Sequence, residues 1–203
     1  MPARSLISAE GLADVGVTYV DDWHTHEGFV DTNARHVTSA MATLPGAVRD
    51  RARLVFTAHS IPTTMAAADR YKAQLLESAR LVAERLGRTD WALVFQSRSG
   101  RPSDPWLEPD VCDYLRAERA KGLEAAVLCP IGFVCDHIEV LYDLDVEAAA
   151  VCRETGLPMA RAHAVNDDPA FVDLMADVVL RTRTRYCTGR PLQLAGSAPS
   201  TVK

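Results

Sequence analysis

Glu139, Asp143 and Glu147 stand four residues apart in one stretch of this chain. On an α-helix, at about 100° per residue, they share a stripe roughly 80° wide. Most of the residues around them are apolar: Ile138, Val140, Leu141, Tyr142, Leu144, Val146 and Ala148. Three carboxylates in file on such a helix are either its one wetted edge or the wall of an acidic channel for a cation. Asp136 argues for the first, because Asp136 and Glu139 have the spacing of a capping box, the one accepting from early helix amides and the other reaching back. A second candidate is His59, which follows the apolar run Arg53 to Ala58. An imidazole and a carboxylate over one crevice can take up protons near neutral pH or hold a divalent metal between nitrogen and oxygen. A lone histidine is more commonly a structural one, satisfied by a backbone carbonyl.

The elements that must carry these residues follow from the apolar pattern. Gly16 to Val20, Arg53 to Ala58, Trp91 to Gln96, Ala125 to Cys129 and Met159 to Ala162 read as strands. Helices are expected over Phe29 to Leu44, over a stripe running from Tyr71 to Leu86, over Pro109 to Lys121, over the acidic stretch, and from Asp168-Pro169 to about Arg183. Strands that are continuously apolar and alternate with helices imply an α/β fold, an open parallel sheet of about four to five strands with helices on both faces. Ligands of such a sheet bind beyond the carboxyl ends of its strands. His59, Gln96-Ser97 and Asp136 to Glu139 all fall there, on three strand ends. Residues 1–185 are expected to form one domain and 186–203 a disordered tail. Trp23-His24-Thr25-His26 offers two histidines, but their spacing puts them on opposite sides of a strand or in a solvated loop, a poor metal pair.

The motifs resemble a known family. Phe56-Thr57-Ala58-His59-Ser60-Ile61-Pro62, Phe95-Gln96-Ser97, Asp104 to Val111, Pro130 to Asp143 and Asn166 to Phe171 are similar, in order and spacing, to the second half of ferrochelatases, above all the coproporphyrin-type enzymes of Gram-positive bacteria. The resemblance covers about Ile7 to Arg183. It implies a chelatase-like domain that inserts ferrous iron into a porphyrin in haem biosynthesis, with coproporphyrin III favoured over protoporphyrin IX. It further implies that His59 and Glu139 are the catalytic and metal-binding pair, and that Glu139, Asp143 and Glu147 lie on a locally widened helix, Asp143 and Glu147 relaying metal or protons. Porphyrin and ferrous iron would be substrates, with no permanently bound cofactor. The family's enzymes have two such domains, and the opening residues here match the start of the second. The expectation is therefore either a truncated gene product, or a half that works beside a separate partner carrying the first domain. The alternative function is a non-catalytic porphyrin- or metal-binding half-domain.

Composition narrows the remaining classes. A net charge of −5 over 203 residues gives no basic stripe for nucleic acid. No apolar stretch approaches the roughly 20 residues of a membrane span, and the N-terminus lacks a signal-peptide pattern, so a cytoplasmic protein is expected. Five cysteines, Cys112, Cys129, Cys135, Cys152 and Cys187, form no CxxC pair and are expected to be reduced. Some actinobacterial relatives hold an iron-sulfur cluster near the C-terminus. Cys187 alone in this tail does not support one.

Overall fold

A computed structural model describes residues 18–20, 23–101 and 104–187. Among these residues four strands form one parallel sheet: β1 (Arg53–His59), β2 (Trp91–Gln96), β3 (Ala126–Cys129) and β4 (Met159–Arg161). Their spatial order is β2-β1-β3-β4. β1 sits in the interior and is buried along five consecutive residues, while β3 is buried throughout. Burial on both faces explains their unbroken apolar sequence. The strand expected at Gly16 to Val20 falls partly outside the described residues, and Thr18 to Val20 form no strand. The tail expected from residue 186 lies outside them from residue 188, and the last helix runs on through Cys187.

Among the described residues five longer helices accompany the sheet, besides short turns of helix at Trp23–Thr25 and Gly46–Arg49: α1 (Glu27–Ala42), α2 (Ala68–Arg85), α3 (Val111–Ala120), α4, and α5 (Pro169–Cys187). Helix α4 is composite. It starts as α over Ile138–Val140, widens to π geometry over Leu141–Ala148, and returns to α over Ala149–Thr155. On one face of the sheet Val55, Val94, Ala126 and Leu128 pack with Val111 and Leu115 of α3 and with Val140, Leu144, Ala148 and Val151 of α4. Helices α1 and α2 cover the other face. There Asn33 of α1 takes a weak hydrogen bond from the thiol of Cys129, 3.6 Å away. By compactness the residues from His24 to Leu174 form one unit, which holds the whole sheet; the remainder of α5 belongs to a second.

One close approach decides where the acidic helix begins. The chain leaving β3 lays Gly132 against β1, its N–H donating to the Thr57 carbonyl at 3.0 Å. A Cβ at Gly132 would lie 2.4 Å from Cβ and 2.8 Å from Cα of Ala58, so only glycine fits. The segment leading to Glu139 can therefore run directly over the end of β1, where His59 follows Ala58.

Candidate active site

The end of β1 presents His59 with both of its chemical faces assigned. Its backbone pairs with Gln96 of β2, and the Tyr71 hydroxyl of α2 donates to its carbonyl at 3.0 Å. The ring Nδ1 lies 2.5 Å from the carbonyl oxygen of Ser60. A carbonyl only accepts, so Nδ1 carries the hydrogen. In the neutral ring the lone pair is then on Nε2, which lies 4.0 Å from Oε2 of Glu139. That separation is too long for a hydrogen bond and leaves the two groups converging on a shared space. The side chains are 33% and 52% exposed, so the pair contributes little to stability through its charges.

Glu139 is the second residue of α4, whose N-cap is His137: its Nδ1 accepts from the Glu139 N–H at 3.2 Å. This corrects the expectation that Asp136 caps the helix. The Asp136 carboxylate turns instead toward the loop after β4. It accepts from Arg161 Nη1 at 2.9 Å, Asn166 Nδ2 at 3.0 Å and the Ala164 N–H at 3.2 Å, with His163 Nδ1 also 3.0 Å away. Burial acts to raise its pKa, but these hydrogen bonds and the Arg161 charge outweigh burial and hold the carboxyl below its ordinary range.

Asp143 and Glu147 belong to the π segment. Bonding from i to i+5 widens the helix, so a step of four residues falls short of a full turn, whereas in an α-helix it overshoots. Asp143 is gripped by the end of β2: the Ser97 hydroxyl donates to Oδ2, and Gln96 Nε2 reaches the same oxygen at 3.3 Å. Ser97 achieves this from a left-handed backbone, φ +59°, unusual for a residue other than glycine. Gln96 is 1% exposed, and its side-chain Oε1 has no hydrogen-bond partner. Asp143 and Glu147 line a cleft of about 400 Å³ together with Gln96, Ser97, Cys112 and Glu154. The Cys112 thiol in that wall is pushed up to about 12 by burial and by the carboxylates of Asp110 and Glu147, so the free thiol is protonated near neutral pH. Burial likewise lifts Cys129 to about 12 and Cys152 to about 11.

The structure therefore brings His59 and Glu139 together, gives Asp143 to the end of β2 and sets Glu147 in the cleft beyond. Among the described residues no three His, Cys, Asp or Glu side chains converge tightly enough to hold a metal ion by themselves. His24 and His26 are committed elsewhere, His24 Nε2 meeting Glu77 at 3.0 Å and His26 Nδ1 capping α1 through the Gly28 N–H at 3.0 Å. Tyr71 was legible only as part of an apolar helix stripe. Its hydroxyl partner is twelve residues away, and no local pattern announces it.

The family profile described as "Ferrochelatase" matches residues 3–183. A ferrochelatase of Rhodopirellula baltica is 53% identical over 155 residues, 76% of this chain and 44% of that protein. Coproporphyrin III ferrochelatases of Streptomyces coelicolor and Mycolicibacterium smegmatis are 44% and 50% identical, covering 88% and 76% of this chain and 52% and 46% of theirs. The chain thus spans about half the length of the curated relatives it matches. A solved structure titled as a putative cobalamin biosynthesis CbiX protein from Marinobacter aquaeolei covers 66% of this chain and 98% of its own at 16% identity, but with a TM-score of 0.43 the likeness is loose.

Proposed function

The chain belongs to the ferrochelatase family, and from that premise we propose that it acts in the insertion of ferrous iron into a porphyrin in haem biosynthesis, with coproporphyrin III as the porphyrin. The observation that carries the reading is the convergence of His59 Nε2 and Glu139 Oε2, 4.0 Å apart at the head of an acid-bearing π-helix. Metal insertion replaces two pyrrole protons by one divalent cation. The site must therefore accept protons, deliver a metal, or both. His59 has one free lone pair, on Nε2, suited to either duty near neutral pH. Glu139 supplies a hard oxygen donor opposite it. Two protein donors bind a metal weakly enough to give it up, which suits a substrate in transit better than a stored cofactor. Asp143 and Glu147 continue the path along the helix. A porphyrin hides its nitrogens when flat, so the cleft must draw on binding energy elsewhere on the ring to bend it.

The preference for coproporphyrin is supported by the names of the Streptomyces and Mycolicibacterium relatives. A second reading, porphyrin or metal binding without turnover, is favoured by the openness of the pair, since small-molecule sites usually enclose most of their ligand. Anaerobic assays with ferrous iron and coproporphyrin III, comparing the wild type with His59→Ala, decide between them. We expect His59→Ala to lose on the order of a hundredfold or more in rate, the share commonly supplied by a positioned acid or base. Equal rates in the two proteins would remove His59 from the mechanism. Saturable porphyrin or iron binding with no insertion by either protein would establish the second reading.

A further inference from the structure

A widened helix is an uncommon conformation and tends to persist only where its surroundings hold it. In α4 two acidic side chains, two residues apart and so on nearly opposite sides of the helix, are gripped from outside. Asp143 is held by Ser97 and Gln96. Asp145 is held by Arg161, the last residue of β4: Nε and Nη2 of the guanidinium donate to its two carboxylate oxygens at 2.6 and 3.0 Å. The remaining arm of Arg161, Nη1, donates to Asp136 at 2.9 Å and to the Ala162 carbonyl at 3.2 Å. The Arg161 side chain is 11% exposed, so the fork is fixed in place by the structure around it. One guanidinium therefore ties the loop entering α4, through Asp136, to the middle of the π segment, through Asp145. Relaxation of Leu141–Ala148 to α geometry would rotate each later residue relative to the sheet, turning Asp143 away from Ser97 and Gln96 and shifting Glu147 in the cleft.

We propose that Arg161 is a positioning residue: its two-pronged hold on Asp145 keeps α4 in the widened phase that carries the file of Glu139, Asp143 and Glu147 past the end of β2, with Asp143 against Ser97 and Glu147 in the cleft. The inference rests on the proposed reading of that file as a metal path, but its test does not depend on turnover. In the intact protein, Asp145→Asn removes the clamp without touching any residue of the file. Two readouts are taken: the affinity for cobalt(II) alone, by absorption titration, and amide hydrogen exchange over Leu141–Ala148. We expect cobalt binding to weaken about tenfold or more, as outer partners of metal ligands commonly do when removed. We expect exchange over Leu141–Ala148 to quicken while the amides of β1 and β3 keep their wild-type rates. Arg161→Lys, which retains the charge but cannot form the fork, should move both readouts in the same direction and serves if Asp145→Asn fails to fold. Unchanged cobalt affinity, or unchanged exchange, in a folded variant overturns the proposal. If cobalt binding depends on Asp145 while the wild type inserts no metal, the proposed function falls and the clamp stands.

Discussion

Ser97 combines a left-handed backbone with a hydroxyl bound to Asp143. Holding a residue other than glycine there costs on the order of 1–3 kcal/mol, and such strain gathers where a side chain must be aimed. Two substitutions separate the two effects. Ser97→Ala deletes the hydroxyl and keeps the strain, while Ser97→Gly deletes the hydroxyl and relieves it. On the proposed function we expect both to raise the KM for ferrous iron, with Ser97→Gly the more stable of the two in urea unfolding. A wild-type KM in Ser97→Ala would mean that the hydroxyl does not aim Asp143. At this scale the sequence was informative where chemistry and position coincide. His59 and Glu139 could be named because they stand at strand ends in a family pattern, and Gln96 and Ser97 could be placed at a strand end. Their grip on Asp143 could not be foreseen, because it joins residues 46 and 47 positions apart. Arg161 was concealed in the same way, its partners Asp145 and Asp136 lying 16 and 25 positions away, although a charged residue in a short apolar strand was a usable signal.

At the scale of elements, the boundaries of β2 and the existence of the five long helices were legible from apolar runs and their punctuation, while the short helix Gly46–Arg49 and the 3-10 turn Trp23–Thr25 were not. The π segment was not, because a file spaced by four fits a 3.6-residue period nearly as well as a wider one. It became an expectation only through resemblance. The capping-box spacing of Asp136 and Glu139 misled for a related reason: it describes local competence, and the end of β4 with the loop after it offers Asp136 four partners, Arg161, His163, Ala164 and Asn166. Gly132 sets where α4 starts relative to β1. We expect Gly132→Ala to destabilise the fold by about 1–3 kcal/mol, the usual range for overpacking, because Ala58 or the loop must move. On the proposed function it should also slow metal insertion, since His59 directly follows Ala58. Gly46→Ala, where a Cβ would meet nothing within 4 Å, is the control. Equal unfolding midpoints for the two variants would contradict the close approach.

At the scale of the molecule, the order β2-β1-β3-β4 puts the ends of β1 and β2 side by side and hangs α4 from β3 beside them. The parallel sheet was readable from the unbroken apolar strands, but their lateral order was not, since composition does not record which buried strand is central. The loop after β4 is fastened to α1 by Asp168, which accepts from Arg35 Nη2 at 2.9 Å and lies 3.2 Å from His36 Nε2. The Arg35 hydrogen bond, set against burial and aided by the Ala170 N–H and His36, holds the Asp168 carboxyl below its ordinary value of 3.8. A carboxyl depressed in the folded state stabilises fully above that ordinary value, and the contribution is lost as pH falls through the folded one. We therefore expect Asp168→Asn to be less stable than the wild type at neutral pH, the gap closing as urea unfolding is repeated toward pH 2. A gap that stayed constant with pH would show that Asp168 acts by packing alone.

The hydrogen bond from His59 Nδ1 to the Ser60 carbonyl leaves the ring a single vacancy. One lone pair cannot serve two claimants at once, so a metal ion and a pyrrole proton exclude each other at Nε2. If His59 serves both duties, the events have an order: handing over the metal is what frees the imidazole to take the proton. The turnover would then be gated by occupancy of one atom, with no moving lid required.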